Sequence, residues 1–185
     1  MASFPKPLDY SAYLKTPEIK RRYDIVDGEF RFMSPAPTTL HQLVLQEIFV
    51  AVDRHVKRYS LGQAFCAPCD VIISRSPLRT RQPDVMFISN ARRPIIQDQV
   101  QGGPDLIVEV LSPGNTEKHV QGKLRDYAAA DVREAWVVDP KQKTIAVLHA
   151  EKGAFRETAR FRTPQRLRSK VLPRLRLPVA KVFPG

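Results

Sequence analysis

The sequence has no long hydrophobic run and few cysteines. No stretch reaches the roughly 18 consecutive apolar residues that a membrane-spanning helix needs. Residues 1–10 contain Pro5, Lys6, Pro7 and Asp9 and no apolar stretch, so we expect no secretory signal and a cytoplasmic location. Two cysteines are too few for a disulfide framework. The glycine-rich patterns that bind nucleotide phosphates are also absent, so nucleotide binding is not predicted.

Basic residues outnumber acidic ones and concentrate towards the end of the chain. The 185 residues include 30 Lys and Arg against 19 Asp and Glu, a formal net charge of +11. Residues 151–185 alone contain 10 basic and 2 acidic residues. Such a charge favours a polyanionic partner, most often a nucleic acid. A solubilising surface is the alternative explanation.

Hydrophobic spacing predicts both helices and strands. Residues 38–59 carry apolar side chains at helical spacing, and Gly62 follows as a stop signal. The Asp27-Gly28 pair predicts a hairpin between strands at 22–26 and 29–33. Other predicted helices cover 11–19 and 115–130, the latter with Asn115 as its N-cap. Further strands are predicted at 64–74, with Pro68 at a sheet edge or bulge, and at 83–89, 105–111, 134–138 and 144–149. A polar loop is predicted at 90–104 and a hairpin near Gly153.

This order of elements predicts an α/β or α+β fold with a mixed central sheet. The almost continuous apolar segment 105–111 is typical of a strand that is covered on both faces. We expect one domain over residues 1–185, in which 10–36 form an N-terminal helix and hairpin. Residues 150–185 are expected to be a basic extension whose apolar side chains pack back onto the domain.

Two carboxylates stand in positions that call for an explanation. Glu109 lies inside the segment Leu-Ile-Val-Glu-Val-Leu, where burying an ionised carboxylate is costly unless it is paired or bound to a metal. Asp84 follows Pro83 at the start of a predicted strand. If the two strands pair, the acids converge at one end of the sheet, where their oxygens suit Mg²⁺ or Mn²⁺. Alternatively, Glu109 binds a buried arginine or caps a strand end, and Asp84 is an ordinary strand-end acid.

Pro83-Asp84, followed by Glu109 in an apolar strand, resembles the PD-(D/E)XK nuclease superfamily. Residues 10–183 are similar to one branch, the Uma-two endonuclease-like family of bacterial proteins. That family's motifs are matched in order by residues 23–29, His41 at the start of the long helix, 104–113, Lys123-Leu124 with Tyr127, 134–140 and 172–183. The resemblance implies a restriction endonuclease-like fold, with a mixed central β-sheet flanked by helices and extra β elements at both termini.

The resemblance also implies roles for individual residues. Asp84 and Glu109 would be the catalytic metal ligands. The superfamily's lysine normally lies two residues after the second acid, where this chain has Leu111, and Lys123 on the following helix matches the lysine of this branch. The Lys123 ammonium would orient the attacking water and offset phosphate charge. The alternative for Lys123 is a lysine that faces solvent. Tyr127 lies one turn later, and we favour the interpretation that it only packs against the sheet.

Asp24, His41 and His119 extend or depart from the family pattern. Asp24 stands where the family usually has Glu, and His119 stands where an acid is expected. Asp24, His41 and Tyr127 are therefore candidates for an additional or supporting part of the site. His41 would contact phosphate or the acids, although a capped surface histidine is the interpretation we favour.

Cys66-Ala67-Pro68-Cys69 has the spacing of a redox pair. Reactive pairs normally lie at a helix N-terminus, which lowers the thiol pKa, whereas this one lies in a predicted strand. A zinc site would need two further ligands, and no second pair follows. A redox or zinc protein is one of three functional hypotheses.

The first hypothesis is a Mg²⁺-dependent or Mn²⁺-dependent endonuclease that hydrolyses DNA phosphodiester bonds, with RNA left open as a substrate. The other is a non-catalytic nucleic-acid-binding protein on a nuclease scaffold. Neither involves a membrane, and cleavage of two strands would suit a homodimer. The basic side chains expected to contact phosphates are Arg156, Arg160, Arg162, Arg166 and Arg168.

Overall fold

A computed structural model describes residues 7–17, 19, 23–32, 37–112 and 117–183, the side chains of 117 and 118 excepted. The helices are α1 (Tyr10–Tyr13), α2 (Thr39–Arg58) and α3 (Glu117–Ala129), and short 3₁₀ helices span Asn90–Ile95 and Val179–Lys181. The strands are β1 (Tyr23–Val26), β2 (Glu29–Phe32), β3 (Gly62–Cys66), β4 (Val71–Arg75), β5 (Leu78–Arg81), β6 (Val85–Ser89), β7 (Val100–Gln101), β8 (Leu106–Val110), β9 (Glu134–Asp139), β10 (Thr144–Glu151), β11 (Ala154–Arg162), β12 (Arg166–Leu167) and β13 (Leu177–Pro178). Arg22, Met33 and Asn115, which belong to predicted elements, lie outside the described residues. No described helix is long and apolar enough to cross a membrane.

The larger sheet has six strands in the order β11-β10-β9-β8-β6-β3. β8 and β9 run parallel, and the other neighbours run antiparallel. Alternate residues of β8 enter two different cores, because Val108 packs with α2 and Ile107 packs with α3. The predicted mixed central sheet flanked by helices is confirmed, and β8 is buried on both faces.

The smaller sheet has five strands in the order β2-β1-β5-β4-β7. Its β1–β2 hairpin turns at Asp27 (φ 54°) and Gly28 (φ 76°), the left-handed conformations that a type I′ turn requires. A side chain at Gly28 would also meet the backbone nitrogen of Leu8 at 2.5 Å. The predicted hairpin is therefore confirmed within the described residues.

The single strand predicted at 64–74 is wrong, because this segment crosses between the two sheets. β3 ends at Cys66 in the larger sheet, and β4 begins at Val71 in the smaller one. The chain bends at Ala67 and Pro68, and a proline has no N–H to continue a ladder. The predicted loop at 90–104 contains a 3₁₀ helix and β7, and the helix predicted at 11–19 is only the single turn α1.

The long predicted helix forms as α2. The Thr38 hydroxyl accepts a hydrogen bond from the backbone N–H of His41 (3.2 Å) and caps the helix. The helix ends at Arg58, so Gly62 is not its stop signal. Gly62 instead begins β3, where a Cβ would lie 2.1 Å from the carbonyl oxygen of Ile88. The glycine is therefore needed for the close approach of β3 and β6.

The end of the chain packs back onto the larger sheet. Apolar side chains between 167 and 183 share one core with α2 and with β6 and β8. The basic side chains of this region point away from that core and are exposed. The buried members are Leu167, Leu172, Leu175, Leu177, Val179, Val182 and Phe183.

Candidate active site

Asp84 and Glu109 lie on neighbouring strands of the larger sheet. Asp84 immediately precedes β6, and Glu109 is within β8, which pairs with β6 in antiparallel register. The backbone N–H of Asp84 donates to the carbonyl of Val108 (3.0 Å), and the N–H of Val110 donates to Asp84 Oδ2 (2.8 Å). The Asp84 residue therefore contacts the β8 backbone on both sides of Glu109.

Two side chains of α3 hold the Glu109 carboxylate. Lys123 Nζ donates to Glu109 Oε2 (2.8 Å), and the Tyr127 hydroxyl donates to Oε1 (2.6 Å). Glu109 is only 3% exposed, so this pairing compensates much of the cost of its burial. Burial raises the pKa of Glu109, the ammonium of Lys123 lowers it, and the nearby charge of Asp84 raises it, with a net rise. The partners are an ammonium and a phenol, not the buried arginine considered above.

Lys123 is 5% exposed, so the interpretation as a solvent-facing lysine is wrong. Burial alone lowers the pKa of Lys123, but the negative charges of Glu109 and Asp24 raise it, and the net direction is upward. Lys123 is therefore a cation at neutral pH. Tyr127 is fully buried and does more than pack against the sheet, since its hydroxyl binds Glu109.

His41 belongs to this cluster, and the interpretation as a surface histidine is wrong. The residue is 4% exposed at the start of α2. Its Nε2 lies 3.1 Å from the carbonyl oxygen of Val110 and 3.4 Å from Asp84 Oδ2. Burial by itself raises the pKa of Asp84, but the contact with His41 and the hydrogen bond from Val110 lower it, and the net direction is downward. Asp84 is therefore ionised at neutral pH.

Asp24 approaches the same region from the smaller sheet. Arg81 Nη1 binds Asp24 Oδ2 (2.7 Å), while Arg81 Nε binds Asp126 Oδ2 on α3 (2.7 Å). The negative charge of Asp24 raises the pKa of Lys123. Asp24, Arg81 and Asp126 therefore form a chain of buried ion pairs that reaches α3, the helix that carries Lys123. The exposed His119 lies one turn before Lys123 on the same helix.

Arg81 and Asp126 are site residues that the sequence analysis misses. Arg81 lies in β5, whose sequence Leu-Arg-Thr-Arg shows no clear strand pattern. Asp126 is separated from Arg81 by 45 positions in the chain. The one hint in the sequence is that Arg81 lies only three residues before Asp84, so its side chain is expected near that acid.

The five predicted phosphate-binding arginines lie elsewhere. All five are exposed, on β11 and in the segment that follows it. β11 is an edge strand, and β10 and β9 separate it from β8. Arg160 binds Glu157 through two hydrogen bonds (2.9 and 2.6 Å), and Arg156 lies 3.7 Å from Glu151. These contacts are local to the hairpin and do not join the arginines to the buried acids.

The donor set around Asp84 fits a hard cation better than zinc. Among the described residues, no group of three or more His, Cys, Asp or Glu side chains is arranged to hold a metal ion. A structural zinc site needs four protein ligands. Magnesium, in contrast, is commonly held by one or two carboxylates, with waters and substrate phosphates completing its shell. Asp84 and Glu109 are the two buried carboxylates that could hold such an ion.

A separate cavity of about 410 Å³ lies at the opposite end of β6. It contains none of the acids or the lysine described above. Its lining consists of Gly62, Gln63, Phe65, Ile88, Ser89, Asn90, Arg93 and Ile96.

A solved structure has a fold similar to that of this chain. A crystal structure from Anabaena variabilis, described as "a putative nuclease belonging to DUF820", aligns with a TM-score of 0.78 at 20% sequence identity. The alignment covers 96% of this chain and 98% of that one. This chain therefore shares its mixed α+β fold with that protein.

The family follows from the sequence itself. Residues 10–180 match the family described as "Uma2: Putative restriction endonuclease". The chain belongs to this Uma2 family, and the predicted resemblance is confirmed. No curated protein matches the chain.

Proposed function

We propose that this protein is a metal-dependent endonuclease that hydrolyses DNA phosphodiester bonds. The observation that carries the proposal is the buried cluster of two acids from adjacent strands, with Lys123 Nζ 2.8 Å from Glu109 Oε2. A carboxylate has about four lone-pair positions, and Lys123 and Tyr127 occupy one on each oxygen of Glu109. The remaining capacity is available to a cation. Membership of a restriction endonuclease family supports the same reaction class.

Asp84 and Glu109 would hold the cation, and Mg²⁺ or Mn²⁺ suits these oxygen donors. When bound, such an ion lowers the pKa of a coordinated water and stabilises the charge that develops on the phosphate. His41 and the backbone N–H of Val110 fix the orientation of the Asp84 carboxylate before any ligand arrives. Tyr127 does the same for Glu109.

Lys123 acts as a positioned cation in this proposal. An ammonium has three N–H donors, and the bond to Glu109 uses one of them. The others can donate to the attacking water and to a phosphate oxygen, which aligns the water with the phosphorus and offsets negative charge. The attack breaks the bond between phosphorus and the leaving oxygen of the DNA backbone.

The exposed arginines would bind the DNA backbone. Arg162, Arg166 and Arg168 lie within the part of the chain that carries most of the excess positive charge. Phosphate contacts of this kind give binding that depends steeply on salt and weakly on sequence.

A non-catalytic nucleic-acid-binding protein is the second candidate function. The observation that favours it is the burial of the cluster, in which Asp84, Glu109 and Lys123 are 4%, 3% and 5% exposed. A phosphodiester must reach these groups before it can be cleaved. On this alternative the acids and the lysine form a buried ion-pair network, and only the basic surface is functional.

A cleavage assay separates the two functions. Supercoiled plasmid and linear single-stranded and double-stranded DNA are incubated with the protein in Mg²⁺, in Mn²⁺ and in excess chelator. The endonuclease proposal expects cleavage that requires the divalent ion and falls about 100-fold or more in Asp84→Asn and Glu109→Gln.

The control variant is Asp105→Asn, which alters another buried acid next to β8. Asp105 lies 3.1 Å from Arg133 and accepts a bond from the backbone of Ser89 (2.7 Å), so its role is structural. Cleavage should persist in this variant wherever it remains folded. Full activity in both Asp84→Asn and Glu109→Gln contradicts the proposed site, and salt-sensitive DNA binding without cleavage in any metal supports the second function.

A further inference from the structure

The two cysteines belong to the loop that supports Asp84. β3 ends at Cys66, which pairs with Val85 of β6. The next residue, Ala67, donates its backbone N–H to the carbonyl of Asp84 (3.0 Å). The loop between the two cysteines is therefore attached directly to the backbone of a candidate metal ligand.

The far end of the same loop is also fixed. Asp70 follows Cys69, and its carboxylate accepts hydrogen bonds from Gln82 Nε2 (2.8 Å) and from the hydroxyl of Tyr13. Its carbonyl accepts from the backbone N–H of Val100 (2.9 Å). Asp84 binds the loop next to Cys66, and Gln82 binds it next to Cys69. A change in the conformation of the loop would therefore reach residues 82–84 through both contacts.

The two thiols are three positions apart in the chain and differ in their access to solvent. Both are free, with Cys66 exposed and Cys69 partly buried against the core under α3. Burial raises the pKa of Cys69, and the charges of Asp70 and of Cys66 raise it further. The chain bends at Ala67 and Pro68, between the two cysteines.

We propose that Cys66 and Cys69 form a reversible disulfide that alters the placement of Asp84. The exposed Cys66 thiolate attacks glutathione disulfide, forming a mixed disulfide and releasing one glutathione thiolate. The Cys69 thiolate then attacks the Cys66 sulfur, forming the internal disulfide and releasing the second glutathione. The protein loses two protons and two electrons, and glutathione disulfide takes them up to become two glutathione molecules.

A zinc site on the same thiols is less consistent with the structure. Zinc held structurally takes four ligands, and among the described residues no group of three or more His, Cys, Asp or Glu side chains is arranged to hold a metal ion. The raised pKa of Cys69 also differs from the low thiol pKa of catalytic redox pairs. The chain spacing of the two free thiols and the bond from Ala67 to Asp84 instead favour a regulatory disulfide.

The test equilibrates the full-length protein in defined mixtures of reduced and oxidised glutathione and measures its mass without reduction. We expect both thiols to disappear together in a monomer that has lost two hydrogens. In Cys66→Ser and in Cys69→Ser, the remaining thiol should instead add one glutathione or stay free. Stable glutathione adducts on the unmodified protein, disulfide-linked dimers or two persistent free thiols would overturn the proposal.

The effect on Asp84 is measured separately by amide hydrogen exchange. The Ala67 amide, which binds the Asp84 carbonyl, should change its exchange rate about ten-fold or more between the reduced and oxidised forms. An unchanged rate in fully oxidised protein would overturn the link to Asp84. The expected change in DNA cleavage rests on the proposed nuclease function, but the mass and exchange measurements do not, so failure of either proposal is recognised independently.

Discussion

Glu109 and Glu134 are both buried acids of the larger sheet, 3% and 0% exposed, but they are bound differently. Glu134 Oε1 accepts from the Trp136 indole (2.7 Å). Its Oε2 accepts from His149 Nε2 (3.1 Å) and from the backbone N–H groups of Lys170 (2.8 Å) and Val171 (3.4 Å). Within the described residues Glu109 accepts from only two side chains. Glu134 thus has its full set of donors from the protein, whereas Glu109 retains capacity for a ligand.

The comparison shows that two equally buried acids can be held in different ways. Burial alone does not separate them, because each glutamate lies within an apolar strand and is nearly inaccessible. The two carboxylates differ in the number and kind of hydrogen-bond donors that they bind. Glu134 joins the C-terminal segment to β9 through backbone N–H groups, while Glu109 is held by a lysine and a tyrosine of one helix.

The largest expected effect is on cleavage and separates the two glutamates directly. Glu109→Gln should lower the cleavage rate about 100-fold or more, since the amide cannot replace the charge that holds a cation. Glu134→Gln should leave cleavage unchanged but lower the free energy of unfolding by about 3 kcal/mol, because an amide nitrogen would face the N–H donors. Single-turnover cleavage and urea denaturation measure the two effects. Equal losses of cleavage in both variants would remove the distinction.

Measuring metal binding compares Glu109 with Glu134 without DNA. Isothermal titration of Mn²⁺ should show one class of site in the unmodified protein, and Glu109→Gln should weaken it about 100-fold. Glu134→Gln should bind Mn²⁺ as the unmodified protein does. If neither variant changes Mn²⁺ affinity, Glu109 is not a ligand, and the second candidate function is favoured.

Much of the fold is predictable because its signals are local. The apolar spacing of α2, the turn at Asp27-Gly28 and the continuous apolar strand β8 each lie within one short segment. The division of 64–74 between two sheets is not local, since it depends on which strands pair with β3 and β4. The short strand β5 is missed because its polar sequence becomes buried only between β1 and β4.

The site is predictable to the extent that charge in an apolar strand is visible in the sequence. Glu109 is found for this reason, and its role as a ligand stays a prediction. The burial of His41 is not predictable, because it depends on a carbonyl 69 positions away. The bridge from Asp24 through Arg81 to Asp126 likewise joins three elements that no local pattern connects.

A smaller effect tests the hydroxyl that orients Glu109. Tyr127→Phe removes one hydrogen bond and should lower the free energy of unfolding by about 1 kcal/mol. It should also lower cleavage about ten-fold, because the carboxylate is less firmly oriented. Tyr10→Phe is the matched control, since the Tyr10 hydroxyl donates to Gln99 (2.8 Å) and not to an acid of the cluster. A loss of stability without any loss of cleavage in Tyr127→Phe would make Tyr127 structural, like the partners of Glu134.

The smallest effect concerns the segment that Glu134 anchors. Arg162→Ala and Arg166→Ala should each weaken DNA binding only a few-fold, and each should reduce the slope of log affinity against log salt by about 1. Arg31→Ala removes an exposed arginine of β2 that binds Glu29, and it should leave the slope unchanged. Binding is measured by fluorescence anisotropy in the Asp84→Asn background, where DNA stays intact. If Arg162→Ala and Arg166→Ala keep the slope of the unmodified protein, as Arg31→Ala should, the exposed charge of residues 151–185 serves solubility. The DNA-binding surface then lies elsewhere.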